Sequence, residues 1–142
     1  MQSISAGLAA NPDAPTLLSA RGQLFVMRGD WASARSDLDR SLAADPGQAD
    51  AHVLRAAARR NLGDLAGAEA DIAAALDLSP HSDTALLERG LLNFTKGDRQ
   101  AAEQDWMSVI DNPQSSGAAR HAAEDYLLRA TDESSNSGTS AP

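Results

Sequence analysis

Cysteine is absent from the 142 residues of this chain. That excludes disulfides, thiolate metal sites and cysteine nucleophiles. Positive charge is scarce: 12 Lys and Arg face 20 Asp and Glu, for a formal net charge of -8. Nucleic acid is therefore an unsuitable partner, because phosphate contacts need a basic surface. Docking on anionic lipid is disfavoured for the same reason. No apolar run approaches the length of a membrane span, so membrane insertion is not expected. No basic-then-apolar signal segment opens the chain. A β-branched run of strand character is missing as well, which points to an all-α chain.

What is present is a period. Gly29-Asp30, Gly63-Asp64 and Gly97-Asp98 follow one another at steps of 34 residues. Ala34, Ala68 and Ala102 keep the same spacing, as do Pro12, Pro46 and Pro80. A fixed interval of this size signals stacked supersecondary units, which build extended surfaces. Glycine suits the left-handed residue that ends a helix, since it has no Cβ to clash. The aspartate after it can cap the next helix and favours that helix's positive end. Proline after Asp45 and Ser79 stops a helix and turns the preceding residue away from helical geometry. Between these marks lie stretches rich in Ala and Leu. Ala68, Ile72, Ala75 and Leu76 show the three-and-four spacing of an amphipathic stripe. The pattern predicts helices over 2–10, 14–28, 31–44, 48–62, 65–78, 82–96, 99–111 and 117–130.

Signatures of chemistry are lacking. His52, His81 and His121 are far apart and form no close ligand pair of the kind zinc sites use. There is no Gly-rich phosphate loop, nucleophile elbow or calcium loop. Acidic residues are numerous but recur at repeat-equivalent places, whereas catalytic carboxylates would occur once. Neither catalysis nor a cofactor or metal is expected. One charged constellation does recur. Arg21, Arg55 and Arg89 precede Asp37, Asp71 and Asp105 by 16 residues each. Two antiparallel helices joined by a short turn bring such positions together. The expectation is a structural Arg–Asp ladder tying helix to helix, for which the planar guanidinium fork is suited.

The repeating residues resemble the tetratricopeptide repeat. That family's pattern has a small residue midway along a first helix, a Gly-Asp turn, an alanine early in the second helix and a closing proline. Residues 15–48 supply Gly22, Gly29, Asp30, Trp31, Ala34, Leu38, Leu42 and Pro46 as repeat 1. Residues 49–82 form repeat 2 with Ala56, Gly63, Asp64, Ala68, Ile72 and Pro80. Residues 83–114 form repeat 3 with Gly90, Gly97, Asp98, Ala102, Trp106 and Pro113. The aromatic expected late in each first helix is Phe25, but its equivalents are Arg59 and Asn93, and looser packing is expected there. The resemblance implies a right-handed superhelix of antiparallel hairpins, a solenoid of about three repeats plus a terminal helix.

The resemblance also implies a protein-interaction scaffold that holds a peptide or partner helix in a concave groove. The groove residues it implies are Gln23, Val26, Met27, Val53, Ala57, Arg60, Asn61, Leu87, Leu91 and Phe94. The family's carboxylate clamp for chaperone tails needs Lys and Asn at places that hold Ser19, Gln23, Leu54, Thr84 and Glu88 here, so that role is not expected. At the ends, residues 1–14 read as the second helix of an incomplete repeat, which favours a fragment of a longer protein. Its unpaired apolar side, Ile4 and Leu8, makes self-assembly the alternative function and a homodimer an acceptable form. Residues 115–130 read as a capping helix, and residues 131–142, rich in Ser and acid, as a flexible tail. Abundant alanine and the preference for arginine, with Lys96 the lone lysine, suggest a GC-rich bacterial genome. The cytoplasm is the favoured compartment, with the periplasm open if an upstream segment is missing.

Overall fold

The structure is a computed structural model and describes residues 1–137. Those residues form eight helices and no strand: α1 (Gln2–Ala10), α2 (Pro15–Arg28), α3 (Trp31–Ala44), α4 (Ala49–Asn61), α5 (Leu65–Leu78), α6 (Asp83–Thr95), α7 (Arg99–Asp111) and α8 (Gly117–Ser137). By its internal contacts the chain divides into two compact units, Met1–Ala85 and the part from Leu86 onward.

The same turn is built three times. Gly29, Gly63 and Gly97 have φ of 74°, 87° and 86°, and no other described residue has positive φ. In each case the glycine N–H donates to the carbonyl three residues back, and the aspartate N–H to the carbonyl five back. At the first turn these are Gly29 N to Val26 O (3.0 Å) and Asp30 N to Phe25 O (2.9 Å). This double closure satisfies carbonyls that the helix end would leave open. The aspartate carboxylates then cap the following helices, accepting from Ser33 N (3.3 Å), Gly67 N (3.0 Å) and Ala101 N (3.1 Å). Glycine reverses the chain and aspartate restarts it, so each first helix is followed at once by an antiparallel second one.

α2, α4 and α6 each begin one residue later than the sequence pattern predicts. Ala14 and Gln48 serve as the non-helical caps of the first two, and the Ser82 Oγ accepts from Ala85 N (3.1 Å) before the third. Pro15 occupies the first position of α2, where its missing N–H costs nothing. α8 departs further. It runs to Ser137 instead of ending at residue 130, so the first part of the predicted tail is helix. Residues 131–136 are exposed and bury nothing. A helix needs only its backbone bonds to continue, and neither Gly nor Pro interrupts 118–137. Residues 138–142, the rest of that tail, lie outside the described residues.

Within the first unit, α1 packs on α2, α2 pairs with α3, and α4 packs on α3 and pairs with α5. Leu8 is buried, so the side of α1 expected to be open is already covered in part. One core joins Ala34, Leu38 and Leu42 of α3 to Ala51 and Ala58 of α4, flanked by Phe25, Val26, Trp31 and Leu54. Another joins Val53, Ala75 and Ala85, with Leu76 against it. In the second unit Ala102, Trp106 and Val109 of α7 meet Ala119, Ala123 and Ala130 of α8, and Leu87, Leu91 and Phe94 of α6 pack on them. The Trp106 ring lies between Phe94 and Tyr126, with centroids 6.1 and 5.6 Å away and tilted planes.

Small residues on first helices face large ones on second helices. A Cβ added at Gly22 would stand 2.8 Å from Leu38 Cγ, and one at Gly90 would stand 2.7 Å from Trp106 Cδ1 and overlap its Nε1. The period places Trp106 where the earlier repeats hold Leu38 and Ile72, so Gly90 has to be the smallest residue available. Gly63 differs: a Cβ there meets nothing within 4 Å, and only its φ resists substitution. Gly90→Ala should cost about 2–3 kcal/mol through overpacking, against about 1 kcal/mol for Gly63→Ala from left-handed strain. Urea denaturation followed by tryptophan fluorescence checks this order, and a neutral Gly90→Ala would mean that α6 and α7 can separate without loss.

Candidate functional site

A cleft of about 500 Å³ lies in the first unit between α2 and α4. Thr16, Ser19, Ala20 and Gln23 line one side; Asp50, Ala51 and Leu54 line the other. The spacing of three and four along each helix puts those residues on one stripe. A polar knot ties the cleft's end together. Ser19 Oγ donates to Gln48 Oε1 (2.8 Å), and Gln48 Nε2 donates to Ser41 O (3.2 Å) and Asp45 O (2.9 Å). Ser41, fully buried on α3, donates to Pro15 O at 2.7 Å. Sequence reasoning gave Gln48 no role, since a single polar residue before a helix carries no periodic signal.

The residues expected to line a groove are distributed unevenly. Gln23 is exposed and lines the cleft, and Met27 is 76% exposed at the end of α2. Ala57 and Arg60 are half-buried on α4, and Asn61 is exposed, its Nδ2 donating to Ala57 O at 2.8 Å. Val26 is half-buried against the α3–α4 core. Val53 has to be corrected: it is core, packed with Ala75 and Ala85. It stands one period after Ser19, but Ala85 of α6 covers it. In the second unit Leu87, Leu91 and Phe94 pack on the Trp106 cluster. Phe94 also lines a separate cavity of about 400 Å³ with Gly97, Arg99 and Ala130. Among the described residues no group of three or more His, Asp or Glu is placed to hold a metal ion, and no helix is long and apolar enough to cross a membrane.

Three arginine forks grip three buried carboxylates. Arg21 gives Nε to Asp37 Oδ2 (2.6 Å) and Nη2 to Oδ1 (2.8 Å). Arg55 gives Nη2 to Asp71 Oδ1 (2.7 Å) and Nε to Oδ2 (3.0 Å). Arg89 gives Nη2 to Asp105 Oδ1 (2.7 Å) and Nε to Oδ2 (3.1 Å). The aspartates are 4%, 2% and 6% exposed. Each pair joins the first and second helix of one hairpin. Hydrogen bonding to aspartate is the main reason that Arg21 and Arg89 hold their protons more firmly than free arginine. For Arg55 burial acts most strongly and in the opposite sense, but bonds and charge from Asp71 and Asp39 outweigh it.

The polar residues standing where an aromatic was expected turn out to serve these carboxylates. Arg59 Nη1 donates to Asp71 Oδ2 at 2.8 Å, and Asn93 Nδ2 donates to Asp105 Oδ2 at 3.1 Å. Each sits one helical turn after the ladder arginine, on the same face. His52 adds to the second site, with Nδ1 3.1 Å from Asp71 Oδ1 and Nε2 3.0 Å from Pro46 O. In the first repeat the corresponding residue is Phe25, whose ring centroid lies 6.0 Å from Arg21 Cζ and gives Asp37 nothing. Among the described residues Asp37 thus depends on Arg21 alone.

That difference sets an order. Arg21→Ala should cost about 2–4 kcal/mol, because it leaves a buried carboxylate without a donor. Arg55→Ala and Arg89→Ala should cost about 1–2 kcal/mol each, since Asp71 keeps Arg59 and His52, and Asp105 keeps Asn93. Replacing Arg21 and Asp37 together by apolar residues should recover much of the loss. Chemical denaturation of the three single variants checks this, and equal losses would show that the second donors contribute nothing.

The sequence profile of the tetratricopeptide repeat matches residues 2–49, 19–83 and 53–119. No curated protein matches the chain. Several solved structures do. The first TPR domain of human RPAP3 is 21% identical, with 92% of this chain and all of that one covered at a TM-score of 0.72. The first TPR of Spaghetti (RPAP3), bound to the HSP90 peptide SRMEEVD, is also 21% identical, covering 85% and 93% of the two chains at 0.69. A tetratricopeptide repeat protein from Parabacteroides merdae is 20% identical, covering 99% of this chain and 57% of that one at 0.75. At these identities the likeness speaks for the fold: antiparallel helical hairpins of the solenoid type. With the profile spanning most of its length, the chain belongs to the tetratricopeptide repeat family.

Proposed function

We propose that the chain is a non-catalytic protein-interaction module that holds a peptide or partner helix across α2 and α4. The observation that carries this reading is the cleft of about 500 Å³ between those helices, open to solvent and bounded by exposed Thr16, Gln23 and Asp50. Its volume lies in the range of ligand sites. A related fold holds an acidic peptide, SRMEEVD, in the solved complex with Spaghetti. The cleft here differs in charge. Neither Lys nor Arg lines it, and its one charged residue is Asp50. A neutral or mildly basic segment suits it better than an acidic tail. Met27, Ala57, Arg60 and Asn61 extend the surface toward the helix ends, where Met27 offers an apolar contact. Arg60 would orient a carbonyl or carboxyl group of the segment and add steering that weakens with salt.

Two exposed positions permit a test without touching the core. Thr16→Trp combined with Gln23→Trp should fill the cleft and leave the melting temperature unchanged. Peptides selected from a random display library against the wild-type chain should be neutral to basic and should lose at least about tenfold in affinity for the filled variant, roughly 1.4 kcal/mol. Peptides that bind both forms equally would remove the cleft as the site. Self-assembly is the second reading. Its support is the half-buried Ile4 of α1, and sedimentation over a range of concentrations separates it from peptide binding.

A further inference from the structure

The cleft between α2 and α4 carries charge at one end only. Gln48, Asp50 and Ser79 line that end, and Asp50 is exposed. Among the described residues its side chain has neither a hydrogen-bond nor an ion-pair partner. The charge is no part of the repeat, since Thr16 and Thr84 hold the places one period before and after it. A first helix does not require it either: α2 forms with no acidic residue in its first turn. Residues that the framework needs recur every 34 positions, as Gly29, Gly63 and Gly97 do, whereas Asp50 stands once.

α5 adds to the same end. It closes at its cap Ser79, beside the start of α4. The last carbonyls of a helix carry partial negative charge, which a basic residue in the final turn balances. The last turn of α5 has no basic residue and holds Asp77 instead, exposed and likewise without a partner among the described residues. Neither Lys nor Arg lines the cleft, so the cleft itself supplies no cation to offset this field.

Toward its other end the surface turns apolar. Thr16, Ala20, Gln23 and Met27 follow one another on one stripe of α2, and Met27 is 76% exposed. Thr16 and Asp50 occupy equivalent places on their helices, and from Thr16 to Met27 the stripe runs about 16 Å. An extended chain covers that distance in about five residues. Between the two ends Gln23 lines the cleft, and among the described residues its side-chain amide makes no hydrogen bond. An amide offers donor and acceptor together, which matches the N–H and C=O of a backbone lying along the cleft.

We propose, on the reading that this cleft holds a ligand, that the ligand is an extended segment with a Lys or Arg side chain seated at Asp50 and an apolar side chain about five residues away on Met27. The Gln23 amide holds the backbone between them. Charge complementarity selects the basic residue, and the unlike ends fix the direction in which the segment lies. Asp50 is then the specificity-determining residue of the cleft.

The probes are capped peptides selected from a random display library, once against the wild-type chain and once against Asp50→Lys. The wild-type set should be enriched in Lys or Arg four to six residues from an apolar residue, and the Asp50→Lys set in Asp or Glu at that same position. Replacing the selected Lys or Arg by Gln should weaken binding to the wild-type chain about tenfold. Asp50→Asn should weaken the parent peptide by the same factor, remove most of its salt dependence and leave the melting temperature unchanged. Peptides that lose affinity on filling the cleft with Thr16→Trp and Gln23→Trp, yet show no basic enrichment or ignore Asp50→Asn, would overturn the seat at Asp50 and leave the cleft as the binding site. Peptides indifferent to the filling, or no saturable binder at millimolar concentration, would overturn both. Displacement of the parent peptide by free arginine as efficiently as by unlabelled peptide would overturn the segment and assign the seat to a small cation.

Discussion

Everything in this chain hangs on a backbone reversal that only glycine tolerates cheaply. At Gly29, Gly63 and Gly97 the left-handed conformation closes two hydrogen bonds onto the helix just finished, and the next aspartate caps the helix about to start. Only two or three residues join the helices, so the two helices of each hairpin meet in a fixed register. That register explains why a separation of 16 in sequence becomes a bond of 2.6–3.2 Å between arginine and aspartate. It also explains why Gly22 can lie under Leu38 and Gly90 under Trp106. The turn sets the register, the small-to-large packing sets the distance, and the buried charge pair penalises any slip.

The ladder is uniform in its geometry and uneven in its support. A buried carboxylate is costly unless its oxygens are occupied, and one guanidinium fork covers only part of the demand. Repeat 2 answers with Arg59 and His52, repeat 3 with Asn93, and repeat 1 with no further donor. In repeat 1 the position goes to Phe25, which contributes apolar packing to the α3–α4 core instead. What looks in the sequence like erosion of an aromatic position is an exchange of one kind of cohesion for another. Arg55 shows the fullest case, joining Asp71 of its own hairpin to Asp39 of the hairpin before it. Charge there links neighbouring repeats as well as neighbouring helices.

Those two features give α2 two different surfaces. Its cleft side is small and polar, suited to a backbone lying along it. The other side carries Arg21 and Phe25 over a recess shared with Ala32, Ser33, Ser36 and Asp37 of α3.

The sequence by itself determined the hairpins. Period, glycine, aspartate and proline are local devices whose effect depends on a few residues of backbone, so the helix ends came within a residue or two up to Asp111 and the Arg–Asp pairs were legible as a spacing. Where composition was asked to predict order, at residues 131–137, it failed, because an exposed helix needs no buried side chain to persist. The tertiary structure alone decided which apolar residues are free. Val53 and Ser19 occupy equivalent places on their helices, but Ala75 and Ala85 close over Val53, and its own first helix does not announce that. Leu87, Leu91 and Phe94 are drawn to Trp106 because that large ring replaces a leucine or isoleucine, and the neighbours it gathers come from three helices. Exposure is a property of what the rest of the chain leaves uncovered, and no local pattern encodes it.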